Sequence, residues 1–425
     1  MPADEYRLEH LSNGQRLVTE KLDHLRSVCM GFWIPAGSRD ETPPLAGATH
    51  FIEHLLFKGS SKYTAEEIAQ VFDTLGGELN ASTSREYVVV YGRFLDDHLP
   101  VAMDVMSDML TTPTFTDLDR EREVVLEEIA MVEDSPQDLI HDVLAEVVLD
   151  GHALAHPILG TRESISSSSE EEIRAYHQDR FQFADMVVAA AGNIDHDALR
   201  ELLLDRHGAA DGSEPQRSVS PPQVTPKRRF LTKETEQMHV CLGGIGMARD
   251  DDRRFQLSVL DSLFGGSLSS RLFQEVREKR GLVYSVYSFS SLYEETGLSG
   301  LYFGCRPERL DAVMETVGRE LVRLVTEPVP ADELRRAKEH LKGRLILGLE
   351  STSSRMTRLG KGVLTRTEIL SEDELAERIE AVTSEQLLEL AGEVYHPRSL
   401  SVVGIGADES RFASAVPEDC LAGLA

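Results

Sequence analysis

Apolar residues along this chain repeat with two periods, and the switches between them divide it into elements. Tyr6-Arg-Leu, Arg16-Leu-Val-Thr and Ser27-Val-Cys-Met-Gly-Phe-Trp-Ile are β-type runs broken by turn residues such as Asn13-Gly14, which predicts an antiparallel opening over residues 5–36. Pro43-Pro44 ends extended structure and starts a helix, with Gly47 or Thr49 near its N-terminus. A second helix runs from Thr64 to about Leu75, opened by the capping pattern Thr64-x-x-Glu67 and closed by Gly76-Gly77. Leu79 to Phe94 is rich in β-branched and aromatic residues and predicts one or two strands. Helical spacing predicts a helix from about Leu99 to Leu110, followed by a long acidic helix from Thr116 to Asp134. Further helices lead to a strand at Met186–Gly192.

The second half repeats this pattern. Val28, Cys29 and Gly31 align without a gap on Val240, Cys241 and Gly243. The helix at Leu99–Leu110 has a counterpart at Leu310–Leu324, Thr116-Asp-Leu-Asp-Arg one at Pro330-Ala-Asp-Glu-Leu-Arg-Arg, and Val188–Gly192 one at Val402–Gly406. Between the halves lies a Gly-, Ser- and Pro-containing stretch at about 208–226. A duplication on this scale predicts an α+β protein of two homologous α/β-sandwich domains, each a mostly antiparallel sheet packed with helices, at 1–210 and 227–425. A length of 425 residues fits two such cores.

Composition narrows the partners. A formal net charge of −29 repels the phosphates of nucleic acid and of an anionic membrane surface, and either favours cationic substrates or only serves solubility. Cys29, Cys241, Cys305 and Cys420 lie far apart with no Cys-x-x-Cys pair, so neither a thiolate zinc site nor a disulfide framework is expected. The N-terminus has no apolar signal region and no window resembles a membrane span, so a cytoplasmic location is expected.

One stretch carries chemistry: His50-x-x-Glu53-His54 within Gly47–Ser60. Residues four apart share a helix face, so both imidazoles can reach one metal ion, and Glu53 borders that face, where it can act on a metal-bound water. The order is the reverse of His-Glu-x-x-His and is the inverzincin signature. A hydrolytic zinc needs a third protein ligand. The acidic helix offers Glu121 and Glu128, seven apart on nearly one face, although position alone does not separate Glu128 from Glu127. In the same register the second half has Ser262 and Gly266 opposite His50 and His54, so one site per chain is expected.

Over nearly its whole length the chain resembles the insulinase, pitrilysin and mitochondrial processing peptidase family (M16) of zinc metallopeptidases, the processing peptidase branch most closely. The resemblance rests on His50-Phe-Ile-Glu-His54-Leu-Leu-Phe57-Lys-Gly, Gly77-Glu-Leu-Asn80-Ala81-x-Thr-Ser-Arg-Glu, the Glu121/Glu128 spacing and Arg277-x-x-x-x-x-x-Tyr284. It implies His50, His54 and Glu128 as zinc ligands, Glu53 as general base and Glu121 as an acid that supports the histidines without binding zinc. It also implies that Arg277 and Tyr284 hold the substrate backbone, with Tyr284 assisting the oxyanion. Asn80 and Ala81 would form the edge strand that receives substrate, and Phe57 would line a side-chain pocket. Asp138 and Asp142 resemble acidic positions that hold a substrate arginine near the cleaved bond, although Asp replaces the family's Glu at the first. The expected protein is a zinc endopeptidase acting on unfolded peptides, each chain half of a clamshell in a homodimer or a pair with a paralogous subunit. The competing readings are a non-catalytic core-type subunit on the same fold, and a zinc hydrolase acting on something other than peptides.

Overall fold

The computed structural model describes residues 6–208, 217, 219–222 and 225–416; most of the predicted linker and Cys420 lie outside the described residues. The chain divides into two compact units. The first combines residues 1–130, 156–218 and 347–371; the second combines 131–155, 219–346 and 372–425. The linear division at 1–210 and 227–425 therefore differs from the compact units in two segments, one taken by each unit from the other half of the sequence.

The first unit is built on β1 (Tyr6–His10), β2 (Arg16–Lys21), β3 (Ser27–Ile34), β4 (Glu78–Thr83), β5 (Val88–Leu95) and β6 (Val187–Gly192), in the sheet order β1-β2-β6-β3-β5-β4. Alternate residues of a strand point to opposite faces. Val28, Met30, Phe32 and Ile34 accordingly join the main core with Phe51, Ile52, Leu55 and Leu56 of the helix Ala48–Leu56. Cys29 and Trp33 face the other way and pack with Met356 and Leu359 of the helix Thr352–Leu364. A sheet covered on both faces needs apolar residues at both parities, which is why β3 reads as a continuous apolar run rather than as an alternation.

In the second unit, β7 (Arg228–Thr232), β8 (Met238–Gly246), β9 (Val283–Leu292), β10 (Gly297–Cys305) and β11 (Ser401–Gly406) lie in the order β7-β11-β8-β10-β9. One face packs with helices that include Leu310–Thr326, and the other with Ile140, Val143, Leu144 and Val147 of the helix Pro136–Val148. The order repeats β2-β6-β3-β5-β4, with β2/β6 and β7/β11 the parallel pairs. Val28 is paired with Gly192 and Phe94, and Val240 with Gly404 and Phe303, so the register predicted between β3 and β8 matches the ladders. The closing strands align two residues away from the sequence match: Gly192 corresponds to Gly404 and not to Gly406. A two-residue slip leaves every side chain on its face, so the apolar pattern does not distinguish the alternatives.

Two helix starts are set by features the apolar period does not report. Phe115 and Asp117 have φ of +54° and +63°, so the acidic helix begins at Leu118 and runs to Asp134. Pro43–Leu45 forms its own short turn before the helix at Ala48. The predicted Thr64/Glu67 capping box is present: Glu67 Oε2 accepts from the Thr64 amide at 2.8 Å, and Thr64 Oγ1 from the Glu67 amide at 3.2 Å.

Candidate metal centre

The helix Ala48–Leu56 is fastened into the first unit by its apolar face, which leaves His50, Glu53 and His54 on the side away from that core. Its N-terminus requires glycine: Gly47 has φ +86°, and a Cβ there would lie 2.4 Å from the Leu159 carbonyl oxygen. The first orphan amides are satisfied from outside the helix. Glu41, 5% exposed, accepts from the Gly47 amide at 2.6 Å and from the Thr49 amide at 2.8 Å. Burial drives the Glu41 carboxyl up to about 8 against the pull of these donors.

The acidic helix presents Glu128 to the same side. Its Oε2 lies 3.5 Å from His50 Nε2 and 3.4 Å from His54 Nε2, and the three groups offer ligand atoms all within 4.8 Å of one another. Glu127 is exposed, and in this geometry Glu128 is the carboxylate that meets the histidines. Ligands at zinc's usual bond lengths in a tetrahedron are about 3.3 Å apart, close to the two contacts seen here. Two imidazoles and one carboxylate suit zinc and leave a fourth position for water. Burial, aided by the neighbouring His54, lowers His50 to about 4, which keeps it neutral and ready to ligate.

A second layer surrounds this group. Glu121, 3% exposed, places Oε2 3.5 Å from His54 Nδ1, while its Oε1 pairs with Lys58 Nζ at 3.0 Å. This arrangement orients His54 with Nε2 toward Glu128. Glu53 is held by Thr83, whose hydroxyl donates to Glu53 Oε2. Burial raises the Glu53 carboxyl and the Thr83 hydrogen bonds oppose that rise.

Residues 16–162 match the family described as Insulinase (Peptidase family M16), and residues 167–341 match the Peptidase M16 inactive domain. An uncharacterized zinc protease of Streptomyces coelicolor is 42% identical over 96% of this chain and 91% of its own, and the uncharacterized zinc protease YmxG of Bacillus subtilis is 40% identical over 90% and 94%. This chain belongs to peptidase family M16. A crystal structure of a protease from Helicobacter pylori superposes with a TM-score of 0.87 at 19% identity, covering 95% of this chain and all of the other, which speaks for the fold alone.

In this M16 chain the remaining predicted residues fall into separate groups. Asn80 and Ala81 lie on β4, the edge strand of the first sheet, with Asn80 exposed. Phe57 follows the helix Ala48–Leu56 and packs half-buried on the main core. In the second unit, Arg277 lies in a wide helical turn, Phe273–Glu278, and Tyr284 near the start of β9. The Arg277 guanidinium stacks over the rings of Tyr284 and Phe273 at 5.1 and 4.6 Å, and Tyr284 is 79% exposed. Asp138 and Asp142 sit on the helix Pro136–Val148; Asp138 Oδ2 accepts from Ser135 Oγ at 2.6 Å. Ser262 lies in the last turn of the helix Arg254–Phe264 and Gly266 beyond its end, whereas His50 and His54 both lie within the helix Ala48–Leu56.

Sequence reasoning missed Glu41, Thr83 and Lys58 as supports of the site. Thr83 was legible in part, since it follows Ala81 by two and so shares its strand face. Glu41 has no local signal, because the amides it caps are six and eight residues away.

Proposed function

We propose that this chain is a zinc endopeptidase that hydrolyses unfolded peptides. The observation that carries the reading is the meeting of His50, His54 and Glu128 at tetrahedral spacing, with Glu53 on the same helix. Zinc bound there supplies Lewis acidity, which draws the pKa of a ligating water toward neutrality. Glu53 takes the proton of the attacking water and returns it to the leaving amine. Glu121 holds His54 by its Nδ1 so that Nε2 stays free to ligate.

The proposal extends to substrate. The edge of β4 at Asn80 and Ala81, where the Asn80 side chain caps the Ala81 amide at 2.8 Å, would receive an extended peptide beside a side-chain pocket at Phe57. Arg277 and Tyr284 supply paired donors to the peptide backbone and oxyanion, and Asp138 and Asp142 favour a basic side chain near the cleaved bond. Two chains enclosing a chamber would restrict entry to unfolded segments, and a homodimer is the assembly we propose. The core-subunit reading is disfavoured because all four positions of the metal and base set are present and assembled. No helix among the described residues is long and apolar enough to cross a membrane.

A peptide-library digestion tests the reading. Cutting should stop with a chelator and return with zinc, and Glu53→Gln should keep one zinc per chain while losing at least ~10²-fold in kcat. Full turnover by Glu53→Gln, or cutting that is indifferent to the chelator, would overturn it. Cleavage sites without basic residues nearby would remove Asp138 and Asp142 from the specificity argument.

A further inference from the structure

The residue that connects the base to the sheet has a role the metal set does not assign. Thr83 is the last residue of β4, and its hydroxyl donates to Glu53 Oε2. Strand β4 lies at the edge of the sheet and is paired with β5 on one side only, Thr83 opposite Val88.

The chain on either side of Thr83 is immobilised. Before it, β4 runs in register with β5 from Glu78 to Thr83. After it, Ser84 and Arg85 accept backbone hydrogen bonds from Ser38 and Arg39 at 3.3 and 3.0 Å. Arg39 also forms a buried ion pair with Glu86 at 2.6 Å, and a Cβ on Gly37 would lie 2.4 Å from the Arg85 carbonyl carbon. The same loop carries Glu41, which caps the helix that bears Glu53. Helix, loop, β4 and the Glu53 side chain thus close a ring of short-range contacts. The last link in that ring is the Thr83–Glu53 hydrogen bond.

We propose that Thr83 is a positioning residue for Glu53: its hydroxyl pins Oε2 and so leaves Oε1 as the oxygen that accepts the water proton. A carboxylate free to rotate about its last torsion presents the wrong oxygen or the wrong lone pair part of the time, and the cost falls on turnover rather than on substrate affinity. This inference rests on Glu53 acting as the base.

The test is Thr83→Val, which keeps shape, β-propensity and the backbone amide and removes only the hydroxyl, with Thr83→Ser as the conservative variant. The expected result for Thr83→Val is a kcat lower by ~10-fold or more, with KM, the zinc dissociation constant and the urea midpoint of the zinc-free protein all within about twofold of wild type. Thr83→Ser should recover kcat to within about threefold of wild type. In a Glu53→Gln background, Thr83→Val should cause no further loss, because the group it positions is gone. Wild-type kcat in Thr83→Val, a loss of kcat that tracks a loss of zinc affinity, or an additive loss in the double variant would each overturn the inference. If Glu53→Gln itself retains wild-type turnover, the assignment of the base fails instead, whatever Thr83→Val does.

Discussion

Gly360 is where the borrowed helix of the first unit meets its sheet, and Gly360→Ala measures how far that unit depends on it. A Cβ at this position would lie 2.0 Å from Trp33 Nε1, 2.4 Å from Cε2 and 2.5 Å from Cδ1. Trp33 is 1% exposed, and its Nε1–H points to Met356 Sδ at 3.4 Å, so the indole has no room to yield. Two effects oppose each other. Replacing a helical glycine by alanine gains ~1 kcal/mol of helix propensity. Overpacking a rigid core costs ~1–3 kcal/mol, and contacts this far inside the usual 3.5–4 Å separation belong at the upper end, about 3 kcal/mol. The net expectation is a loss of about 2 kcal/mol, which at a urea slope near 2 kcal/mol per molar lowers the midpoint by ~1 M. Trp33 is the sole tryptophan, so its emission reports the junction directly. The variant should unfold at lower urea and emit further to the red before the transition. An unchanged or higher midpoint with unshifted emission would refute the packing argument and leave helix propensity as the larger effect.

Two further predictions use the same fluorophore. A chain ending at residue 208 lacks the helix Thr352–Leu364 and should expose Val18, Trp33, Val89 and Val187, giving red-shifted emission and dye binding that a peptide spanning 347–371 reverses; native emission from the truncated chain would contradict the unit boundaries. Burial lowers His177 and His207 to about 4, so the unfolded chain binds more protons between pH 6.5 and 4; zinc-free stability should be full above pH 6.5 and fall toward pH 4. His177→Gln should flatten that fall by about 1.4 kcal/mol per pH unit, and an unchanged slope would mean that His177 is protonated in the folded state.

The ease of reading this chain varied with the range of the interaction that decides each feature. Capping at Thr64 and the face shared by His50 and His54 depend on residues within one or two turns, and local pattern determined them. The duplication was also legible, because both sheets repeat one order and the match at Val28 and Val240 lies in a strand buried on both faces. The register of the closing strands was not, since a shift of two residues conserves every face.

The sequence by itself determined that two histidines, one glutamate between them and a carboxylate on a later helix were available for a metal. Helix position alone left Glu127 and Glu128 equivalent, since neighbours on a helix differ only in direction, and only the family spacing of Glu121 and Glu128 singled out Glu128. Tertiary structure decided that Glu128 meets the histidines while Glu127 is exposed, that Glu41 caps the helix bearing them, and that Thr83 hydrogen-bonds Glu53. It alone decided the exchange of 131–155 and 347–371 between the units. An amphipathic helix records that one face must be buried; which of two similar sheets buries it depends on side-chain fit, such as Gly31 and Gly360 leaving space around Trp33 and Met356.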